Sequence, residues 1–148
     1  MLQLNNIYKK YGPSYAVQDL SFKISSGEVV GFLGPNGAGK STTMRIISGC
    51  TGPSEGELLI DAISATPHTR ETKRKIGYLP ENGPLYDEMT PQKLLNFFAD
   101  ARSMDRETKI KRINQVVKQC SISTVLNKPI GKLSKGFRQR VGMANVLL

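Results

Sequence analysis

Residues 34 to 42 read Gly34-Pro35-Asn36-Gly37-Ala38-Gly39-Lys40-Ser41-Thr42. A glycine, four residues and then Gly-Lys-Ser/Thr form the phosphate-loop, or Walker A, pattern. Its glycines let the backbone bend so that N–H groups converge on phosphate oxygens. All nine residues are therefore predicted to bind nucleotide phosphates. Lys40 is expected to reach the β- and γ-phosphates, and Ser41 to offer its hydroxyl to Mg²⁺.

The flanking sequence has the order that this motif needs. The apolar run of residues 29–33 predicts a buried strand before the loop. A helical pattern begins at Lys40 and stops near Gly49, and its N-terminus would favour an anion. A glycine-rich turn with a chance lysine would not need a strand before it and a helix after it, so we favour a nucleotide site.

The rest of the chain predicts a sheet followed by a row of helices. Residues 91–130 hold successive helical patterns and no strand pattern, which indicates a small helical subdomain inserted into the sheet domain. The class is therefore α/β, with an antiparallel flap at the N-terminus. The predicted strands are residues 2–8, 16–24, 57–61 and 76–80. The predicted helices begin after the caps Thr90 and Ser134, and at Asp105 or Arg106.

Composition sets broad limits on the function. The 148 residues suffice for one domain, and 39% apolar with 22% charged residues is ordinary for a soluble globular protein. Neither a signal peptide nor an apolar stretch long enough to span a bilayer is recognisable. Cys50 and Cys120 lack metal-type spacing. His68 is the single histidine, which argues against a histidine-based metal site or a Ser-His-Asp triad.

The net charge of +9 is unevenly distributed. Residues 1–100 hold ten basic and ten acidic residues, whereas residues 101–148 hold eleven basic and two acidic ones. A surface for nucleic acid or anionic lipid is one explanation. The other, which we favour, is an acidic portion of the same domain outside these residues. The lack of Trp, and of aromatic residues between the basic ones, weakens the nucleic-acid explanation.

A second motif narrows the class of nucleotide-binding protein. It reads Leu133-Ser134-Lys135-Gly136-Phe137-Arg138-Gln139-Arg140 and resembles the Leu-Ser-Gly-Gly-Gln signature of ATP-binding cassette (ABC) proteins. Lys135 replaces the first glycine of the family pattern, and Phe137 replaces the glutamine. Ser134 and Gly136 match it, and the resemblance implies that both contact phosphate.

The resemblance also gives roles to two further residues. Tyr11 lies where the family places a ring that stacks on adenine, although it also fits a partly exposed tyrosine at a strand end. Glu81 follows Tyr78-Leu79-Pro80, where the family usually has a glutamine that touches Mg²⁺ and the attacking water. A carboxylate can still bind Mg²⁺. Lys40 and Glu81 are thus the expected catalytic residues, and Ser41 and Glu81 the expected metal ligands.

The resemblance implies that the protein is an ATP-hydrolysing subunit that powers export. The sequence Pro80-Glu81-Asn82 is similar to that of export-type members of the family, including those of gliding and drug-efflux systems. The expected cofactors are ATP and Mg²⁺. The expected partners are a second ATP-binding domain, packed head to tail, and transmembrane permease subunits. Direct nucleic-acid binding is not expected, and the location would be cytoplasmic, on the inner face of the membrane.

The resemblance also implies a partial domain. Residues 1–85 would form the nucleotide-binding core, residues 86–132 the helical subdomain, and residues 133–148 the signature motif and its helix. In the family, an Asp-Glu strand and a switch histidine follow the signature helix, and neither can be placed within residues 1–148. The chain alone is therefore expected to bind Mg-ATP weakly without useful hydrolysis, and to be poorly soluble.

Three alternatives stay open at this point. A soluble ABC ATPase acting on the ribosome or nucleic acid would fit the basic last third. A truncated nucleotide-binding remnant that does not hydrolyse ATP would fit the lack of a water-activating acid. A GTPase or small-molecule kinase would share the phosphate loop alone. Asn127-Lys128-Pro129-Ile130 begins like a guanine-binding motif, but Ile130 cannot accept the hydrogen bonds of guanine.

Overall fold

The computed structural model describes residues 1–65, 70–80 and 85–148. They form two compact units, Met1–Ile76 and Gly77–Leu148, here named the N-terminal unit and the helical unit. Glu81, the predicted catalytic and metal-binding carboxylate, lies outside the described residues. Within the described ranges, no helix is both long and apolar enough to cross a membrane.

The N-terminal unit is built on a four-stranded antiparallel sheet. Its spatial order is β2-β1-β3-β4. The first two strands form a hairpin around Gly12, whose φ of 56° is the left-handed conformation that glycine adopts without steric cost. The strands are β1 (Leu2–Tyr11), β2 (Ser14–Ile24), β3 (Glu55–Ile60) and β4 (Ile63–Ser64), and the helices are α1 (Lys40–Ile47) and α2 (Arg70–Arg74).

The core of this unit forms where α1 contributes Ile46, which is 1% exposed, to the apolar side chains of the sheet. The amide of Gly49 donates to the Ile46 carbonyl at 3.0 Å, and the amide of Cys50 donates to the Arg45 carbonyl at 2.9 Å. These two bonds, with Gly49 at a φ of 70°, are a Schellman ending. They explain why the helix stops where the sequence predicts. The buried core residues are Leu4, Ile7, Val17, Ile46, Leu58 and Ile60.

The helical unit holds α3 (Pro91–Ala101), α4 (Arg106–Gln119) and α5 (Lys135–Leu147), with short 3₁₀ turns at Ser123–Val125 and Ile130–Lys132. The predicted cap Thr90 is confirmed, and Asp105 is the N-cap of α4. The Thr90 hydroxyl accepts from the Lys93 amide at 3.3 Å, and the Asp105 carboxylate accepts from the Thr108 amide at 2.9 Å. The apolar faces meet in one core, formed by Leu94, Leu95, Ala99, Ile113, Val116, Val117, Ile122, Val125, Ile130, Val141, Ala144 and Leu148.

The α/β class, the antiparallel flap and the row of helices are confirmed. The strands predicted at residues 29–33 and 76–80 are wrong, because neither segment is a strand. Val29 is 101% exposed and Leu33 is 93% exposed. A buried strand needs neighbouring strands to pair its N–H and C=O groups, and the described residues place none beside residues 29–33.

Candidate nucleotide-binding site

The predicted phosphate loop is an exposed turn that leads directly into α1. Gly37 and Gly39 have φ angles of 85° and 82°, and the Ala38 amide donates to the Pro35 carbonyl at 3.2 Å. Gly39 is the N-cap of α1, and no side chain caps this helix end. Among the described residues, the first amides of α1 therefore have no side-chain partner, which is the arrangement that favours an anion at a helix N-terminus.

Gly39 is required by close packing as well as by its backbone angle. A Cβ atom added there would lie 2.4 Å from the carbonyl oxygen of Ala16 and 3.2 Å from Cγ2 of Val17. Both residues belong to β2. Gly37 has a similar angle but open space around it. The phosphate loop therefore lies against β2 at its helical end and is free at its tip.

Lys40 folds back over the loop that precedes it. Its Nζ donates to the carbonyl oxygens of Gly34 at 2.6 Å and Pro35 at 2.7 Å. An ammonium group has three donors, so two are used within the loop. An anion bound at the loop can therefore take the remaining donor, or exchange with the carbonyl oxygens. The positive charge is thus already held at the mouth of the loop.

The hydroxyl residues after Lys40 differ in exposure. Ser41 is exposed and Thr42 is half-buried. Thr43, which the sequence analysis did not single out, is 1% exposed, and its hydroxyl donates to the Gly39 carbonyl at 3.0 Å. Thr43 thus stabilises the junction of loop and helix. Its signal in the sequence is weak, since a threonine bonding back by four residues is common in helices.

A cleft of about 290 Å³ lies beside the loop. It extends from the loop tip along β2, and no sequence motif predicts it. The ring of Phe32 is 5.9 Å from that of Phe22, centroid to centroid. Among the described residues, the cleft is lined by Tyr15, Ala16, Val17, Gln18, Leu20, Phe32, Gly37, Ala38 and Thr43.

Tyr11, the predicted adenine-stacking residue, is not among the described residues that line this cleft. It is 50% exposed, and Nζ of Lys9 lies 5.2 Å from the centroid of its ring. This is a cation–π distance. The tyrosine is therefore accessible, but its ring already has a cationic neighbour.

The signature motif lies in the helical unit. Ser134 is the N-cap of α5, and its hydroxyl accepts from the Phe137 amide at 3.4 Å. A Cβ atom added at Gly136 would meet no atom of the described residues within 4 Å. The fold of the described residues therefore does not require glycine there. Arg138 pairs with the Asp87 carboxylate at 2.8 Å, which ties the first turn of α5 to the turn before α3.

The predicted site residues thus divide between the two units. The N-terminal unit brings the phosphate loop, Ser41 and the cleft together. The helical unit holds Ser134 and Gly136 at one helix start. In the part of the chain that the structure describes, no group of three or more His, Cys, Asp or Glu side chains could hold a metal ion.

The comparisons with known proteins define the class. The family model described as "ABC transporter" matches residues 17–148, so the chain belongs to the ABC transporter family. The resemblance seen in its two motifs is confirmed.

Individual members of the family are similar to this chain over most or all of its length. The chain is 38% identical over 135 residues to the ABC transporter ATP-binding protein NatA of Bacillus subtilis (strain 168), covering 90% of this chain and 54% of NatA. It is 32% identical to the SkfA peptide export ATP-binding protein SkfE of the same organism, covering 100% of this chain and 61% of SkfE. The chain thus spans roughly half to three-fifths of the length of these relatives.

A solved structure agrees with the fold. The dimeric, post-hydrolysis ATP-binding cassette MJ0796, bound to ADP and Pi, superposes with a TM-score of 0.81 at 29% identity. The superposition covers 99% of this chain and 68% of that one. The α/β, phosphate-loop NTPase class predicted from the sequence is therefore confirmed.

Proposed function

We propose that this chain binds ATP through residues 34–42 and belongs to the subunit that powers export by an ABC transporter. One observation carries the proposal most directly. Two left-handed glycines lead into the uncapped N-terminus of α1 while Lys40 lies across the same loop. Amides and an ammonium group are thus placed around one space that suits a polyphosphate.

In this proposal the phosphates enter beside Lys40, and the loop amides donate to their oxygens. Ser41, which is exposed at the start of α1, binds Mg²⁺ together with Glu81. Tyr11 stacks on adenine. Catalysis by such a site consists of positioning the phosphates and neutralising their charge, so Lys40 and Glu81 act on the reacting phosphate and on the attacking water.

Ser134 and Gly136 act on a nucleotide bound by a second copy of the domain. The MJ0796 cassette, at 29% identity, is a dimer bound to ADP and Pi, which supports a nucleotide-linked pair here. The uncrowded surface at Gly136 also supports close approach by a ligand. The helix start at Ser134 would face the terminal phosphate, where helix amides favour an anion.

The whole protein would hydrolyse ATP and pass the resulting closure to transmembrane permease partners. It would therefore lie on the cytoplasmic face of the membrane. The export function named for SkfE supports this direction of transport. Residues 1–148 contain no acidic residue after Leu133. We therefore expect these residues by themselves to bind Mg-ATP without sustained turnover.

The test compares ATP binding by the wild type, Lys40→Ala and Lys23→Ala, using a fluorescent ATP analogue displaced by ATP. Lys23 is an exposed lysine of β2 and serves as the matched control. Hydrogen bonds to a charged group contribute about 1.5–3 kcal/mol. Lys40→Ala should therefore weaken binding by about tenfold or more, and Lys23→Ala should leave it unchanged. Equal affinity in all three proteins would contradict the proposal.

A further inference from the structure

The chain just before α5 is bonded to the turn that precedes α3. The amide of Ile130 donates to the Met89 carbonyl at 2.9 Å, and the amide of Gly131 donates to the Asp87 carbonyl at 3.0 Å. Ile130 is fully buried, and its own carbonyl accepts from the Leu133 amide at 3.0 Å. The backbone that leads into α5 is therefore fixed on this turn.

Asp87 adds a contact to α5 itself. Its carboxylate lies 2.8 Å from the guanidinium of Arg138. The Arg138 amide donates to the Ser134 carbonyl at 2.9 Å, so these two residues lie one helical turn apart on the same face of α5. A Cβ atom added at Gly131 would lie 3.1 Å from Cβ of Asp87. Asp87 therefore contacts both the segment before α5 and the face of α5 to which Ser134 belongs.

The charges around the start of α5 make the Asp87 carboxylate distinctive. Within the described ranges, Arg138 is the one basic residue of this segment that forms an ion pair. Lys135 and Arg138 are three positions apart on the helix, where like charges repel. Removing the carboxylate of Asp87 would therefore leave Arg138 beside like charges alone. Residues 128–140 hold five basic residues and no acidic one, namely Lys128, Lys132, Lys135, Arg138 and Arg140.

We propose that Asp87 is a positioning residue of the nucleotide-linked pair. Through Arg138, it holds the first turn of α5 in the orientation in which Ser134 meets the nucleotide of the second copy. Asp87 itself does not touch that nucleotide. This role rests on the proposed function, because it requires a phosphate at Ser134. It goes beyond that function because Asp87 lies outside both nucleotide-binding motifs.

The experiment measures two constants on the complete protein. Sedimentation gives its ATP-dependent dimerisation, and a fluorescent ATP analogue gives the ATP affinity of the dilute monomer. The variants are Asp87→Ala and Asp87→Asn, which keeps the shape of the side chain and loses its charge. Glu88→Ala is the matched control, because Glu88 is the adjacent exposed carboxylate.

The two constants should respond differently. Small displacements of positioned groups can cost up to about a hundredfold, so Asp87→Ala should weaken dimerisation by about tenfold, and Asp87→Asn should weaken it as well. The ATP affinity of the monomer should stay at the wild-type value, because the phosphate loop lies in the N-terminal unit. Glu88→Ala should match the wild type in both measurements.

A double-mutant cycle tests whether Asp87 acts through Arg138. In the Arg138→Ala background, Asp87→Ala should weaken dimerisation no further, because its partner on α5 is already gone. A loss caused by a damaged turn would instead add to that of Arg138→Ala. Additive losses would therefore overturn the proposed role of Asp87.

The two proposals fail in different ways. If the wild type does not bind ATP, or binds it without dimerising, the proposed function is wrong and the role of Asp87 fails with it. If the wild type dimerises with ATP and both Asp87 variants do so equally well, the positioning role alone is wrong. If Asp87→Asn weakens ATP binding by the monomer as much as it weakens dimerisation, Asp87 does not act on the pair, and the inference is also overturned.

Discussion

Substituting Gly39 with alanine separates two costs that the structure predicts at this position. Alanine in the left-handed region costs about 1 kcal/mol or somewhat more. At Gly39 the new Cβ would also lie 2.4 Å from the backbone oxygen of Ala16, and overpacking of this kind costs about 1–3 kcal/mol. We therefore expect Gly39→Ala to lower the free energy of unfolding of the N-terminal unit by about 3 kcal/mol.

The chain offers two matched controls. Gly37 and Gly27 have φ angles of 85° and 84°, and a Cβ at either would meet no described atom within 4 Å. Gly37→Ala and Gly27→Ala should therefore lose only the backbone cost of about 1 kcal/mol. The comparison isolates the clash with β2 from the strain of the backbone angle.

The assay is urea unfolding followed through NMR amide signals of β1 and β2, which report on the N-terminal unit. With a typical slope of about 2 kcal/mol per molar urea, Gly39→Ala should unfold at a midpoint about 1 M lower than Gly37→Ala. Equal midpoints for these two variants would show that the loop does not press on Ala16. The packing argument for this loop would then be wrong.

Three further predictions concern the helical unit. Gly136→Ala should stabilise the helical unit by about 0.5 kcal/mol in a thermal melt, because alanine favours helix and its methyl group meets no described atom. The same substitution should weaken the ATP-dependent dimerisation of the complete domain, measured by sedimentation. Unchanged dimerisation would count against the proposed phosphate contact. A double-mutant cycle on Asp87 and Arg138 should give a coupling free energy of about 0.5 kcal/mol, because the ion pair is partly exposed. A coupling of zero would show that the ion pair does not stabilise the helical unit. Hydrogen bonds from the side chain and amide of Thr108 hold the pKa of Asp105 below its ordinary 3.8. The ionised carboxylate therefore stabilises α4 fully at pH values above the pKa of the unfolded chain, and this stabilisation is lost as the pH falls through the lower pKa of the folded chain. Asp105→Asn should make stability fall less steeply in acid, and an acid unfolding profile identical to that of the wild type would contradict this expectation.

Features that depend on local sequence were predictable. The predicted caps Thr90 and Ser134 each accept a hydrogen bond from an amide three residues ahead, so the local sequence already contains both partners. The end of α1 is equally local, because Gly49 supplies the left-handed angle. The phosphate loop, the helix starts and the family resemblance belong to this category.

Features that depend on distant partners were not predictable. The apolar run from Val29 to Leu33 has the pattern of a buried strand, but periodicity shows what a segment can bury and not whether a neighbour exists. The cleft wall is a similar case. Tyr15 and Phe32 lie 17 positions apart in the sequence, and only the path of the chain between β2 and the loop brings them to one cleft.

The central claim is that residues 34–42 bind the phosphates of ATP. The most direct measurement is a titration of the isotope-labelled chain with Mg-ATP, followed by amide NMR. Our account predicts that the amides of Gly37, Gly39 and Lys40 shift most and that these shifts vanish in Lys40→Ala. If the loop amides stay unmoved at saturating Mg-ATP while signals elsewhere change, the nucleotide binds at another place and the account is contradicted.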